Sequence, residues 1–497
     1  MSTTLILVGI AIYIVASLVV AYMSRAGTAS TMSDYFIGGR SMGGLVSALS
    51  YSATTYSAFM MVGLAGLTYK GGVGALGFEI VYFAGVSLVA IFGPRFWAVG
   101  KKYGFVTPSE MLGARYGSRA VAIAAAVASC IFLIPYSAVQ LAGVGYLLSG
   151  MSGGAISFGA GIVVATILAI AFSYIAGIRS VMWTDSLQAV VMIVASVAVV
   201  GFVVSELGGF SALFGAVAER NPAMLTVPGP GLFSFTTFLG LTIPWFFFAI
   251  SNPQVSQRLF MPASLGALRR MLMIFLVFGF IYTLVSVLWG FSAFVAFPDL
   301  ANADLATSTL LASDYVPTVL GVIVMIGILA AAVSTIDSIL LTLSSMVARD
   351  VYANVGAGGD DHRQLMVGKI IIPIISLVAL GFAAMQFSLI AVLAVAASTG
   401  LVVIVPAIVG AFFWKRGTAA GALASIVGGG AFVVVMYLTG NAIFGLNAGI
   451  LGFPVAAILF VAVSLATRSR SDLAEDFIAT ADASLRGGKP VGRTAAA

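Results

Sequence analysis

Charged residues are scarce in this chain. Only 8% of its 497 residues are Asp, Glu, Lys or Arg, and 61% are hydrophobic, whereas soluble proteins carry about 25% charged residues. Cys130 is the only cysteine and His362 the only histidine, which excludes disulfides, thiolate metal sites and histidine-based catalysis. No polar block is long enough for a soluble domain of about 50 residues. The composition therefore indicates a polytopic membrane protein.

Positive charge is in modest excess, with a formal net charge of +6. The basic residues are spread over short loops rather than gathered in one patch, so they are better interpreted as determinants of membrane topology than as a surface for nucleic acid. We expect the lipid bilayer as a partner and no nucleic acid.

Long apolar runs separated by short loops predict an all-α fold of about thirteen membrane spans. The predicted spans cover residues 4–23, 42–69, 73–98, 120–148, 154–176, 181–204, 232–256, 271–297, 315–347, 367–386, 388–414, 418–440 and 446–467. The first run lacks a basic leader and a cleavage site, so we interpret it as a span and not as a signal peptide.

The loops alternate strongly in basic content, which predicts their sides of the membrane. Loops on one side hold only Lys70 and Arg220. The other loops and the tail contain almost all remaining basic residues, among them Arg25, Arg40, Lys101, Lys102, Arg115, Arg119, Arg179, Arg258, Arg269, Arg270, Arg349, Arg363, Lys369, Lys415 and Arg416. This pattern predicts an outside N terminus and a cytoplasmic C terminus in the plasma membrane.

The tail, residues 468–497, is polar and alternately charged. Its first part, SDLAEDFIATADASL, is compatible with a short surface helix, and we expect the remainder to be disordered.

The ninth span has an unusual polar stripe. It reads AAAVSTIDSILLTLSSMVARDVY from Ala330 to Tyr352, and at about 100° per residue Ser334, Thr335 and Ser338 share one face with Asp337 at its margin. Small and hydroxylated residues also serve helix packing. Packing explains the serines but not an ionisable side chain at this depth, so the stripe predicts a functional site.

The second and seventh spans are not uniform helices. The second contains the Ser- and Thr-rich segment from Ser47 to Met61, and the seventh contains Pro244 and Pro253. These features weaken or break a helix. Interrupted spans five positions apart predict a repeated unit of five helices with a transport site between its two copies. The repeats would cover 42–204 and 232–414, with one extra helix before them at 4–23 and two after them at 418–467.

Three other polar residues within spans have two interpretations each. Asp185 is compatible with an ion path or with capping of a helix N terminus. Glu79 near the start of the third span is better interpreted as an N-terminal helix charge. Gln140, one helical turn beyond Tyr136, is compatible with a substrate contact or with interhelical hydrogen bonding.

Four motifs resemble the sodium:solute symporter family, which includes proline, pantothenate, monocarboxylate and sugar symporters. They are DYFIGGRSMGG from Asp34, the polar second span, WTDSLQ from Trp183, and the ninth-span motif. The resemblance implies a LeuT-like fold of inverted five-helix repeats and sodium-coupled alternating access. It also implies that Na⁺ is the coupling ion and that its ligands are carbonyl and hydroxyl oxygens of Ala53, Tyr56, Ala331, Ser334 and Thr335.

One departure from the family pattern concerns the second span. Proline-transporting relatives carry an aspartate where this chain has Thr55. Asp337 is a candidate to supply the missing negative charge, and with Asp185 and Ser338 it is a candidate for a second ion site or a gating charge.

The sequence therefore predicts a secondary active transporter that imports a small organic solute with Na⁺ and can function as a monomer. Contacts with the solute are expected from the second, fourth, seventh and eleventh spans, with candidate residues Ser57, Gln140, Trp245, Asn252 and Gln254. No buried arginine is evident, so the amides at a broken helix are the expected partners of a solute carboxylate.

A small carboxylate, such as pantothenate, a monocarboxylate or an amino acid like proline, is the leading substrate class. A sugar or polyol is the alternative. A passive channel would use similar oxygen-lined helices, whereas an enzyme would need an acid/base or metal set that this chain does not offer. A sensor would need a signalling domain, and the tail is too short for one.

Overall fold

The architecture was obtained as a computed structural model. It describes residues 2–23, 31–230, 232–356, 360–386, 389–483 and 485. Arg25 and the part of the tail from residue 486 onward, which we predict to be disordered, lie outside those ranges. Within these ranges every regular secondary-structure element is a helix, and the β-structure consists of two isolated bridges.

The described residues up to position 230 form nine α-helices. They are α1 (Thr3–Met23), α2 (Met32–Ile37), α3 (Gly44–Thr55), α4 (Ala65–Gly71), α5 (Val73–Tyr103), α6 (Pro108–Tyr116), α7 (Arg119–Met151), α8 (Phe158–Glu206) and α9 (Phe210–Arg220). Short 3₁₀ turns cover Gly38–Arg40 and Pro222–Leu225, and a π-helical segment covers Phe59–Leu64.

The described residues from position 232 onward form thirteen more α-helices. They are α10 (Phe235–Ser251), α11 (Pro253–Ser256), α12 (Leu265–Ala296), α13 (Ala306–Ala312), α14 (Thr318–Met346), α15 (Ala353–Val355), α16 (Asp361–Ala384), α17 (Ile390–Leu401), α18 (Val405–Phe413), α19 (Ala419–Leu423), α20 (Gly429–Thr439), α21 (Ala448–Ala466) and α22 (Ser471–Ala483). The intervening 3₁₀ turns are Gln257–Phe260, Ala303–Leu305 and Val402–Ile404, and the π-helical segments are Val347–Tyr352 and Ala424–Gly428.

Eleven helices within the described ranges are long and apolar enough to cross a membrane. The predicted fifth span is the shorter apolar helix Phe158–Tyr174, and the predicted second span is α3 and α4 joined through the π-helical segment. The helical fold is confirmed, and the count of thirteen spans stays a prediction.

Serines set the starts of four long helices. Ser118, Ser157, Ser234 and Ser264 precede α7, α8, α10 and α12, and each side chain accepts a hydrogen bond from the backbone N–H three residues on. Such caps satisfy N–H groups that a helix leaves unpaired at its start.

The helices that surround the site fall into two groups. We call α3, α5, α10 and α12 the first helix group, because α12 packs against α3 and α5, and α5 packs against α10. We call α7, α8, α14 and α16 the second, because each of them packs against the other three. Small residues allow close packing in the first group: a Cβ at Gly279 of α12 would overlap the Tyr56 hydroxyl, and one at Gly85 of α5 would overlap the Phe246 carbonyl. α3 also contacts α8 and α14, so the groups meet along α3.

The first part of the polar tail forms α22, as predicted. It packs against α5, α6 and α18. Lys102 Nζ lies 2.9 Å from Asp476 Oδ1 and Lys415 Nζ lies 3.2 Å from Glu475 Oε1, and the Phe477 ring stacks on Tyr103. The tail helix is thus attached to one end of the helix bundle.

Candidate ion and substrate site

The second span breaks inside its Ser- and Thr-rich segment. α3 ends at Thr55, and Tyr56 has the non-helical angles φ −95° and ψ 72°. The Thr55 hydroxyl donates to the Tyr51 carbonyl at 2.8 Å, and the Ser57 hydroxyl accepts from the Phe59 N–H at 3.3 Å. Hydroxyls that compete for backbone groups in this way weaken a helix, which explains why the break lies here.

The polar stripe of α14 is completely buried. Ser334, Thr335, Asp337 and Ser338 are between 0% and 4% exposed, although they lie in the middle of an unbroken helix. Hydroxyl and carboxyl oxygens at this depth need partners inside the protein. The partners come from α3, α8 and the segment after α10.

The break in the second span and the stripe on α14 face each other. The Thr335 hydroxyl donates to the Thr54 carbonyl at 3.3 Å, and the Ser338 hydroxyl lies 3.1 Å from that of Thr54. Thr54 directly follows Ala53. The five residues of the predicted sodium site are all buried, at 0% to 4% exposure, and they are Ala53, Tyr56, Ala331, Ser334 and Thr335.

Arg258 occupies the centre of this interface, although its position in the sequence placed it in a loop. It follows the broken seventh span, is 2% exposed, and donates to the hydroxyls of Ser50, Thr54 and Ser338. Its Nη2 atom lies 3.5 Å from Asp185 Oδ2. The prediction that no arginine is buried was therefore wrong. α10 ends at Ser251, and the short α11, which begins at Pro253, packs against α3 and α14 and so carries Arg258 inward.

Asp185 is the acceptor at the centre of a hydrogen-bond network. Its Oδ2 accepts from Ser50 Oγ at 2.6 Å, and its Oδ1 accepts from the Ser334 hydroxyl. α8 is interrupted at Gly177, which has φ 59° and ψ −178°, so Asp185 lies about two turns beyond the restart of the helix. The interpretation of Asp185 as an N-terminal cap was therefore wrong, and its negative charge is compensated by Arg258.

Asp337 lies on the other side of Ser334. Its Oδ1 accepts from Ser173 Oγ at 3.0 Å, and no salt bridge joins it to a cation among the described residues. It borders a cavity of about 20 Å³, with space for about one water, whose other lining residues include Tyr13, Ser17, Ser180, Thr184, Gln188 and Ser334. The two aspartates therefore flank Ser334 in different surroundings.

Asn252 and Gln254 hold the two broken spans together. The Asn252 Oδ1 atom caps α11 by accepting from the Gln254 N–H at 3.0 Å, and Gln254 Nε2 donates to the Thr54 carbonyl at 3.2 Å. With Ser57 hydrogen-bonded at the break itself, these three predicted substrate residues are placed at the junction of the second and seventh spans.

Trp245 belongs to a second region of the site, together with Glu79, which the sequence did not predict as a site residue. Trp245 Nε1 donates to Glu79 Oε2 at 3.2 Å, and Gln140 is fully buried with no hydrogen-bond partner for its amide among the described residues. Glu79 is 1% exposed and lies in the second turn of α5, which begins at Val73. Its interpretation as an N-terminal helix charge was wrong.

A comparison with known protein families identifies the family of this chain. The model of the sodium:solute symporter family matches residues 35–429, a range that includes both broken spans and the stripe on α14. This chain belongs to the sodium:solute symporter family. Membership makes it a multi-pass membrane transporter rather than an enzyme, with Na⁺ as the coupling ion.

Several curated relatives align with this symporter over most of their length. A sodium/pantothenate symporter of Escherichia coli (strain K12) is 27% identical, over 83% of this chain and 86% of the relative. A sodium/proline symporter of Staphylococcus aureus is 27% identical, over 92% of each chain. An uncharacterized symporter of Bacillus subtilis (strain 168), YodF, is 24% identical, over 87% and 88%.

The fold is similar to that of a solved Na⁺-coupled sialic acid symporter in a substrate-bound, outward-open state. The TM-score is 0.79 at 21% identity, with 94% of this chain and 98% of that chain covered. The predicted LeuT-like architecture is confirmed. At this identity the likeness shows the fold and not the solute.

Proposed function

We propose that this symporter imports a small organic solute together with Na⁺, and that the ion binds between the break of the second span and the stripe of α14. The observation that carries the proposal is the contact between the Thr335 hydroxyl and the Thr54 carbonyl, at 3.3 Å. It brings the hydroxyls of α14 to the point where the broken helix leaves the Thr54 carbonyl to side-chain donors, Thr335 and Gln254.

The proposed sodium ligands are backbone oxygens of Ala53, Tyr56 and Ala331 and the hydroxyls of Ser334 and Thr335. Such neutral oxygens suit a hard monovalent ion, because they replace its water without holding it too tightly for release. The ligands belong to both helix groups, so the ion favours the arrangement in which the groups are together.

Alternating access follows from the distribution of the sodium ligands over the two helix groups. When the first helix group tilts away from the second, the sodium ligands separate and the ion is released to the cytoplasm. Each positive charge carried inward gains about 2.3 kcal/mol per 100 mV of membrane potential. We place the N terminus outside and the C terminus in the cytoplasm, with repeats at 42–204 and 232–414, and expect each monomer to be functional.

Asp185, Asp337 and Ser338 are proposed to serve gating or a second ion. The Arg258 guanidinium already compensates Asp185, which favours a gating role for that pair: it ties the segment after α10 to α8. Asp337 has no such partner among the described residues and borders a polar cavity, which favours an ion site there.

The leading substrate class is a small carboxylate such as pantothenate, a monocarboxylate or an amino acid like proline. It is supported by the aligned relatives, which are named as pantothenate and proline symporters. The proposed substrate residues remain Ser57, Gln140, Trp245, Asn252 and Gln254; hydrogen bonds at the junction of the broken spans support Ser57, Asn252 and Gln254. A sugar or polyol is the alternative solute.

The test is uptake by proteoliposomes across a panel of labelled amino acids, pantothenate, pyruvate and glucose. We expect one class to accumulate when an inward Na⁺ gradient is applied and not when K⁺ replaces Na⁺. Solute uptake at the same rate with and without the Na⁺ gradient would refute the proposal. Non-saturating currents far larger than any coupled flux would indicate a passive channel.

A further inference from the structure

Glu79 is a buried carboxylate in the middle of an aromatic cluster. The cluster consists of rings from four spans: Phe59, Phe78, Tyr82, Tyr136, Trp245 and Phe248. The centroid of the Trp245 ring lies 4.5 Å from that of Phe248, 4.9 Å from that of Phe59 and 5.3 Å from that of Phe78. Glu79 lies one helical turn beyond Ala75 in α5 and is 1% exposed. It accepts a hydrogen bond from the Trp245 ring nitrogen.

The charge of Glu79 is not explained by its contacts. Its Oε2 atom accepts from Trp245 Nε1, while its Oε1 atom has no hydrogen-bond partner among the described residues. Among the described residues, no lysine or arginine forms a salt bridge with Glu79. A glutamine would accept from Trp245 equally well, without the cost of burying a carboxylate in apolar surroundings. A positively charged group from outside the chain would compensate the carboxylate and pair with its free oxygen.

We propose that Glu79 and the aromatic cluster bind a positively charged nitrogen of the solute, so that the transported molecule is a zwitterion such as an amino acid or a betaine. Aromatic faces attract ammonium groups through the ring quadrupole, most strongly where water is excluded. A carboxylate among them adds a charge-assisted hydrogen bond for a protonated amine. This inference rests on the proposed function and narrows its substrate class.

The orientation of the solute follows from charge. Phe59 belongs to the cluster and lies three residues beyond Tyr56, a proposed sodium ligand. A zwitterion with its nitrogen at Glu79 therefore directs its carboxylate toward the break and the sodium ion, where positive charge is favourable to it. Because the rings pack on one another in this arrangement, binding displaces at least one of them. Pantothenate, monocarboxylates and sugars have no positively charged group to compensate the carboxylate of Glu79, although hydroxyl or amide groups could still donate a hydrogen bond to it.

The experiment compares the wild-type symporter, Glu79→Gln and Glu79→Asp in proteoliposomes with an inward Na⁺ gradient. The panel holds the labelled L-amino acids, glycine betaine, pantothenate, pyruvate and glucose. We expect Na⁺-driven uptake of an amino acid or betaine. Glu79→Gln should lower kcat/KM for that solute at least about 30-fold, as loss of a buried charge partner does, and Glu79→Asp should keep the selectivity. Asp304→Asn removes another buried carboxylate and serves as the control, with uptake unchanged at neutral pH.

Two further readouts separate charge from shape. If an amino acid is the solute, its methyl ester, which keeps the ammonium, should compete for uptake, and its N-acetyl derivative should not. Transport of a zwitterion with Na⁺ moves net positive charge, so it should give an inward current on a solid-supported membrane. The thermal shift that Na⁺ alone induces should be equal in wild type and Glu79→Gln.

The results that overturn this inference differ from those that overturn the proposed function. Na⁺-driven uptake of only pantothenate, pyruvate or glucose would exclude the zwitterion and leave sodium symport intact. Uptake of a zwitterion that Glu79→Gln changes less than threefold would also refute the role of Glu79. Absence of Na⁺-driven uptake for the whole panel would refute the proposed function, and this inference with it.

Discussion

The buried pair of Arg258 and Asp185 permits a quantitative test of the network around the sodium site. The side chains are 2% and 0% exposed, and their charged atoms lie 3.5 Å apart. Removing one member of a buried ion pair costs about 3–5 kcal/mol, since the other charge stays buried alone. Asp185→Asn and Arg258→Gln should each lower the thermal midpoint of unfolding markedly, and the double variant should be more stable than the sum of the two losses predicts.

The assay is thermal unfolding of the purified symporter in detergent, followed by intrinsic fluorescence for the four members of the cycle. We expect a coupling energy of at least about 1.5 kcal/mol. The control is Lys102→Ala, which removes the exposed pair with Asp476: that pair is closer, at 2.9 Å, but its side chains are 23% and 62% exposed, so the loss should stay within about 1 kcal/mol. Strictly additive losses at Arg258 and Asp185 would refute the account of this network.

Two further predictions concern Asp337 and Asp304, which are also buried. Asp337→Asn should reduce the number of Na⁺ ions moved per solute, measured from reversal potentials in proteoliposomes, and an unchanged stoichiometry and Na⁺ affinity would exclude an ion at Asp337. Burial raises the pKa of Asp304, between α12 and α14, to about 6 from its ordinary value of 3.8, although the Ile390 N–H and Lys70 oppose the rise. The native state then binds more protons than the unfolded state between about pH 4 and pH 6, so stability falls as pH rises through this window. Asp304→Asn should flatten that part of the profile of thermal midpoint against pH, and parallel profiles would contradict the assignment.

Hydropathy and local chemistry were sufficient to predict most of the fold. The apolar runs locate the helices, because a span in lipid must satisfy its own backbone hydrogen bonds. The break at Tyr56 was predictable from the many hydroxyl side chains in the second span. The contact between that span and α14 was predictable from the polar stripe together with the family motifs. These features are local, so a single segment of sequence contains them.

The polar partners from distant spans were not predictable in the same way. Glu79 and Trp245 come from α5 and α10, and Arg258 and Asp185 from the segment after α10 and from α8. Their roles depend on which helices become neighbours, and the hydropathy pattern does not specify that. A signal was present for Arg258, which follows Pro253 and three polar residues: an aspartate buried in a span requires a cation nearby.

The central claim is that Na⁺ binds where Thr335 meets the break of the second span. The most direct measurement is ²²Na⁺ binding to the purified symporter, compared between wild type, Thr335→Ala and Ser344→Ala. Ser344 is the control, since among the described residues its buried hydroxyl bonds only within its own helix, to the Leu341 carbonyl. Loss of one hydroxyl ligand should weaken Na⁺ binding about tenfold in Thr335→Ala, and Ser344→Ala should bind as wild type does. Equal Na⁺ affinity in all three proteins would contradict the claim.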